Sequence, residues 1–406
     1  MTPPQYSKIK SFASHLLHFK NPSFAAYLIK RTQHGWDKPE FYTQDALRLA
    51  REAGTASPAL VKTDRFEVGA IEINNFCNLN CRMCNSNQAK RPRGFMTPEV
   101  FECLVKQLKA AGIQRTALHT IGEPLLHGHL LRLLEIAERY KLKVWISTNA
   151  QFPELIEAIL KNHRQVLSSI RISVDGATAS TYEYIRSGGY FSKVLESLEI
   201  IGLLNGGRPD CEFNLNLHTV ISMANIHEIP LFFQAFGKYV WPEKMIFSLI
   251  NGLSPDPGFF REVFPFPNLI TPTIPCLHPF RHMSILNDGR ATLCCADFVG
   301  ELTIGNALDT PLSTLWHSPD AEAIRRQHLD PETMQLRSCM GCHEPYSFSS
   351  HILDAYIHFL WLSAPELPAD EFGKQAIDLL KTMDQAVAQN ELHLLPERIR
   401  PFFGIE

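Results

Sequence analysis

The chain has 406 residues, 45% of them hydrophobic and 20% charged, with a formal net charge of −3. That length and apolar content suffice for one large domain with an appendage, and the near-neutral charge argues against nucleic acid as a partner. The most apolar stretch, 352–362, carries Asp354 and His358, so no membrane span is expected, and nothing near the N-terminus reads as a signal peptide. Ten cysteines then belong in a reducing cytoplasm, where their clustering points to metal or redox chemistry rather than disulfides.

Residues 1–64 read as a helical cap, with Phe12, Leu16, Leu17, Phe24, Tyr27 and Leu28 near helical spacing. From 65 to 250 the pattern alternates. Strands are predicted at 67–74, 116–121, 143–147, 169–174, 212–221 and 244–249, with helices at 98–111, 129–140, 154–162, 190–204 and 227–236. Such alternation implies an α/β fold with a parallel sheet and right-handed crossovers, and six strands fall short of the eight that close a barrel. The loop after the first strand, 75–85, holds Cys77, Cys81 and Cys84. Thr97-Pro98-Glu99 then supplies an N-cap, a first-turn proline and an early acid for the next helix. Loops after strands are where barrel-type folds keep their chemistry. A 4Fe–4S cluster normally takes four cysteines, so three leave one iron open.

This cysteine pattern resembles that of the radical S-adenosylmethionine (SAM) superfamily. The resemblance implies an open (β/α)6 partial TIM-like barrel, a SAM-binding 4Fe–4S cluster on Cys77, Cys81 and Cys84, and SAM itself. Ile121-Gly-Glu-Pro124 is similar to the family's Gly-Gly-Glu stretch that engages the SAM amino group. Ile121 replaces the first glycine, and Gly122 and Glu123 are carried over. Met83 stands where an aromatic residue usually packs near the adenine. Asn149, in Ser147-Thr-Asn149, resembles a residue beside SAM or substrate. Ser173, in Ser173-Val-Asp-Gly176, would bond the SAM ribose or carboxylate, with Gly176 permitting a tight turn. Arg186 is either a carboxylate partner or part of a structural salt bridge. On the fifth strand, Asn216 and His218 face either the substrate or ordinary packing.

Residues 251–272 read as a connector. Beyond it, segments 283–286 and 291–293 form a hairpin about Asn287-Asp-Gly289, a helix follows at 311–328, and Cys339-Met-Gly-Cys342 is a common metal knuckle. This region resembles the SPASM and twitch extensions of radical SAM enzymes. Four ligands, Cys276, Cys294, Cys339 and Cys342, match the shorter twitch type and imply a second, auxiliary 4Fe–4S cluster; structural zinc is the alternative. Cys295 is a substitute for Cys294, a thiol that returns hydrogen to substrate, or a small buried residue. Cys103 and Cys211 read as core, and His278 and His343 as surface or supporting residues. Helices are expected at 351–362 and 368–389. The implied organisation is a cap at 1–64, the barrel at 65–250, a small hairpin-helix iron–sulfur domain at 251–345 and a helical segment at 346–406.

The expected activity is that of a radical SAM oxidoreductase. It would reductively cleave SAM to a 5′-deoxyadenosyl radical and dehydrogenate or cross-link a peptide, sugar or other metabolite, with the auxiliary cluster accepting an electron. A reducing donor such as flavodoxin or ferredoxin is the implied partner. Two other readings stay open: an epimerase with Cys295 or Cys211 as hydrogen donor, and a non-catalytic iron–sulfur electron carrier or binding protein.

Overall fold

The computed structural model describes residues 66–84, 86, 91–205, 214–249, 262–270, 276, 278–329, 335–336, 338–339, 357, 367–389 and 391. The cap at 1–64, Cys211, much of the connector, Cys342, His343 and nearly all of the helix at 351–362 lie outside them.

Six parallel strands form the main sheet: β1 (Glu67–Ile71), β2 (Arg115–Ala117), β3 (Lys143–Thr148), β4 (Leu167–Ser173), β5 (Leu215–Ile221) and β6 (Met245–Leu249). Between them run α1 (Pro98–Ala110), α2 (Leu130–Arg139), α3 (Pro153–Asn162), α4 (Ala179–Ile185), α5 (Phe191–Leu204) and α6 (Ile229–Phe236). Strands β3, β5 and β6, and β4 from Ile170 onward, alternate buried with half-buried residues, as in the sequence Val144, Trp145, Ile146, Ser147 and Thr148 of β3. The buried set packs against the helices; Phe247 of β6, for instance, meets Phe232 and Phe233 of α6. The other set lines the open inner face.

The sheet does not end at β1. It runs β6-β5-β4-β3-β2-β1-β7-β8-β9, where β7 (His282–Ile285) pairs parallel with β1, and β8 (Arg290–Thr292) and β9 (Thr303–Asn306) follow antiparallel. The expected hairpin is therefore also an extension of the barrel sheet, and it covers the polar edge that β1 would otherwise present. Gly289 closes its turn at φ +85, the left-handed region that suits glycine.

After the short α7 (His278–Arg281), the helix predicted at 311–328 divides into α8 (Leu312–Trp316) and α9 (Pro319–Leu329). Pro319 cannot continue the first helix and instead starts the second. The last helix, α10 (Ala369–Ala388), packs on α6 and on the turn Pro267–Ile270, where Asn268 donates twice to Asp384 at 2.8 and 2.9 Å. Helix α4 has no counterpart among the predicted elements. Thr178 caps it, and the Glu228 carboxylate accepts from the Thr178 and Thr181 hydroxyls and the Ala177 amide. Cys103 is exposed, because the buried face of α1 is set by Phe101, Leu104, Val105 and Leu108.

Candidate active site at the strand ends

The cysteine loop leaves β1 and returns beside it. Its neck is closed by hydrogen bonds: Met96 N donates to Ile73 O at 2.8 Å, Gly94 N to Asn75 Oδ1 at 2.9 Å, and Asn75 Nδ2 to Pro92 O at 2.9 Å. Phe76 stacks on Phe95 across this neck. The far side of the loop docks on the end of α4 and the residues after it, where Arg82 N donates to Ile185 O at 3.0 Å and Asn80 N to Ser187 O at 2.9 Å. Cys77, Cys81 and Cys84 are each half-buried, and Cys77 and Cys81 each feel the charge of Cys84. Burial pushes the free Cys77 thiol up to about 11 and Cys81 to about 12, and raises Cys84 too.

Two donors are aimed at this triangle. Asn149 Nδ2, after β3, lies 3.9 Å from Cys77 Sγ and donates to Asn78 Oδ1 at 2.9 Å. Arg186 Nη1, after α4, lies 4.0 Å from Cys81 Sγ, while its Nε donates to the buried Asp175 at 2.6 Å. Burial opposes the charge on Arg186, yet Asp175 and Cys81 outweigh it and hold the guanidinium firmly protonated. These donors suit thiolates that carry cluster charge, since thiol ligands to a metal are deprotonated. Among the described residues no three His, Cys, Asp or Glu side chains gather tightly enough for a single metal ion. Three half-buried thiols with two N–H donors turned toward them make a donor set that fits a three-cysteine cluster.

Gly122 and Glu123 form the brace beneath this loop. A Cβ on Gly122 would stand 2.3 Å from Asn74 O, so the close approach of the β2 loop to the cysteine loop requires glycine. Asn74 Nδ2 donates to Glu123 O at 3.0 Å, and Glu123 N to Phe76 O at 2.7 Å. The Glu123 carboxylate accepts from Leu125 N at 3.1 Å, Thr148 Oγ1 at 2.7 Å and Asn149 N at 2.8 Å. Burial pushes this carboxyl up to about 7 against those three donors. Gly176 also serves close approach: its Cβ would meet Tyr182 N at 2.3 Å, and its φ is not positive, so packing on α4 rather than a left-handed turn requires glycine there. Met83 is half-buried against the core.

The inner face continues the site. Ser173 pairs in register with His218, and Arg171 with Asn216. Asn216 and His218 thus belong to the half-buried inward set of β5 rather than to the helix-packed one. His218 Nε2 lies 2.8 Å from Ser248 Oγ. Arg171 stands over the Trp145 ring at 4.9 Å, and His119 meets the same ring edge-on at 4.4 Å. Sequence reading did not single out Asp175, Arg171, Trp145 or His119. Period-2 alternation in β3 and β4 was the available signal for Arg171 and Trp145.

The described members of the second cysteine set, Cys276, Cys294 and Cys339, gather around the loop between β8 and β9. Asp297 shapes this loop by accepting from Thr292 Oγ1 and from the amides of Gly300, Glu301 and Leu302, all at 2.8 to 2.9 Å. Cys294 Sγ accepts from Ala296 N at 3.3 Å; a hydrogen bond with Cys295, then burial and Cys276, raise its thiol. Ser338 N donates to Glu301 at 2.8 Å, which brings Cys339 to the same loop. Cys295 is exposed, against the reading that made it a small buried residue, because it projects from the loop while its neighbour packs on the core. His328, also missed, places Nε2 at 3.5 Å from Cys339 Sγ, and burial holds it neutral by pushing it down to about 4. His278 packs near His282, its ring centroid 5.1 Å away.

Comparison with known proteins agrees with this geometry. Residues 71–230 match the family model of the radical SAM superfamily, and residues 276–343 match SPASM, an iron–sulfur cluster-binding domain. The chain is 26% identical over 129 residues to a probable GTP 3′,8-cyclase of Pyrococcus horikoshii, covering 32% of this chain and 41% of that protein. It is 25% identical over 194 residues to the mycofactocin maturase MftC of Mycobacterium ulcerans, covering 46% and 49%. The chain spans about half the length of the curated relatives it matches. Among solved structures, anSMEcpe with bound AdoMet and Kp18Cys peptide shares the fold at a TM-score of 0.52 and 15% identity, covering 73% of this chain and 98% of that one. The two domains imply a SAM-binding 4Fe–4S cluster and an auxiliary iron–sulfur cluster. No described helix is long and apolar enough to cross a membrane. Residues 71–230 therefore carry a radical SAM domain, followed at 276–343 by a SPASM-type iron–sulfur cluster-binding domain.

Proposed function

We propose that Cys77, Cys81 and Cys84 hold the SAM-binding cluster, that Cys276, Cys294, Cys339 and Cys342 hold the auxiliary one, and that the enzyme oxidatively modifies a peptide, sugar or other metabolite. When bound, the first cluster supplies the electron that reductively cleaves SAM, and the second an acceptor for the electron a substrate gives up. The observation that carries the first assignment is the convergence of Asn149 and Arg186 on Cys77 and Cys81. The protein's own part is orientation and exclusion of water. Asn149 and Arg186 donate to the thiolates and so tune the site. Glu123 fixes the loop after β3 through Thr148 and Asn149, keeping the Asn149 amide on Cys77. Ser173 and Met83 border the space left for SAM.

The cysteine set around Cys294 favours oxidation over redox-neutral epimerisation, because four thiolate ligands leave no open iron and suit electron relay. The grouping of seven cysteines into two sets that suit iron–sulfur ligation supports a reducing cytoplasm as the working compartment and a flavodoxin or ferredoxin as donor. Product analysis by mass spectrometry in a host expressing the protein with its neighbouring genes tests the reaction class. A product two mass units lighter than substrate is expected. An isomer of unchanged mass that incorporates one solvent deuterium would show the epimerase reading instead, with exposed Cys295 as the donor.

A further inference from the structure

The inner face of β3 to β6 carries a cation that the assigned chemistry does not use. Arg171 sits half-way along β4, its guanidinium 4.9 Å from the Trp145 ring centroid. Its Nε is buried without a hydrogen-bond partner among the described residues. Among the described residues no carboxylate pairs with it, and burial alone shifts it, downward. Arg186, by contrast, is matched by Asp175 at 2.6 Å. The groups around Arg171 are neutral. Burial first, and then the Arg171 charge, push His119 and His218 down to about 3, so both imidazoles stay uncharged. His218 holds Ser248 at 2.8 Å and feels Arg171 and Arg186, so this face borders the cysteine loop side of the site.

A guanidinium desolvated with no anion beside it is strongly disfavoured. Stacking on Trp145 offsets only part of that. A strand position facing the open side of the sheet could hold any small polar residue at less cost, so the choice of arginine points to a ligand. We infer that Arg171, with His218 and Ser248, forms a substrate subsite that takes a carboxylate. The fork of a guanidinium matches that planar anion bidentately, and Ser248 or His218 offers a further hydrogen bond. One formal positive charge among neutral imidazoles fits a monoanion; a phosphate dianion would leave charge uncompensated. The inference rests on the reading above that the barrel interior holds substrate, and it narrows that substrate to one bearing a carboxylate, such as an acidic side chain, a peptide C-terminus or a carboxylic acid metabolite.

The test uses reconstituted full-length holoenzyme loaded with SAM, with probe binding followed by ligand-observed NMR. The probes are N-acetyl-L-alanine, its primary amide and inorganic phosphate. The carboxylate should bind at least about tenfold tighter than the amide, the amount a charge-assisted hydrogen bond supplies, and tighter than phosphate. Arg171→Met should erase that preference, and Arg171→Lys, which keeps the charge and loses the fork, should retain part of it. If the methionine variant fails to load iron, the lysine variant decides alone. Equal binding of acid and amide, a preference that survives in either variant undiminished, or tighter binding of phosphate would overturn the inference. So would a loss of SAM affinity in place of probe affinity, measured by equilibrium dialysis, because the carboxylate would then be that of SAM. Formation of 5′-deoxyadenosine by the wild-type holoenzyme is measured separately. Its presence without carboxylate selectivity sinks only this inference, while its absence sinks the radical SAM reading beneath it.

Discussion

The two cysteine regions are built by different means. The loop at 75–86 is tied to the ends of three neighbouring segments: the β2 loop through Gly122 and Glu123, the β3 loop through Asn149, and the segment after α4 through Arg186. The region around Cys294 is organised mostly from within, by one carboxylate, Asp297, that gathers four donors from its own loop. A loop that must present three thiols and also leave room for a bound molecule needs scaffolding from several strands. A region whose four thiolates would close on a cluster, as proposed above, needs only local shape.

One buried joint links the two. Glu72, at the end of β1, receives both Arg91 Nη groups at 2.8 Å, the Thr120 hydroxyl and the Asn287 amide. Arg91 also donates to Phe298 O at 3.2 Å. Arg91 follows the first cysteine loop, Asn287 turns the hairpin and Phe298 follows Cys294. This pair therefore sets the two regions against each other.

The largest effect expected is from Cys77, Cys81 and Cys84 all changed to alanine. Iron should fall from about eight per chain to about four, on the stoichiometry of two four-iron clusters, and 5′-deoxyadenosine formation should vanish. Cys276→Ala with Cys294→Ala should remove the other half of the iron and the oxidised product. Iron halving in wild type, with one zinc found per chain, would mark the second set as a zinc site. Next comes the joint. Arg91→Met strands a buried carboxylate and should lower unfolding free energy by about 3–5 kcal/mol, read by denaturant titration. A loss near zero would show the regions to be independent. Gly122→Ala forces a Cβ onto Asn74 O and should cost about 1–3 kcal/mol, with weaker iron retention in the first site only.

The smallest effect is in pH. Glu123 is raised from 4.5 to about 7 on folding, so the native state holds the extra proton between those values. Its contribution to stability is complete below about 4.5 and is lost as pH rises to about 7. Glu123→Gln should flatten that window while losing about 1–3 kcal/mol at low pH, since its amide would face the Asn149 N–H donor. An unchanged slope of stability against pH in this variant would remove Glu123 as the source.

Much of this was legible in the residues. Cys77, Cys81 and Cys84, the six parallel strands and the hairpin at Gly289 all announce themselves through local spacing and periodicity. What was not legible depends on contacts distant in sequence. That β7 continues the sheet from β1 rests on pairing across some 200 residues. Arg186 left two readings open, and the structure pairs it with Asp175. Gly176 looked like a turn glycine, whereas a helix backbone lies against it. Cys103 and Cys295 looked like core because small sulfur residues usually are, but neither falls on its element's buried side. Arg171 was invisible for the opposite reason: a single cation in a strand gives no hint that no carboxylate among the described residues pairs with it.

The most direct measurement is the reaction of anaerobically reconstituted protein with a low-potential reductant and SAM, with 5′-deoxyadenosine and methionine quantified by chromatography. The account predicts both products in equal amounts from protein carrying about eight irons. Fully iron-loaded protein that retains SAM intact would contradict it.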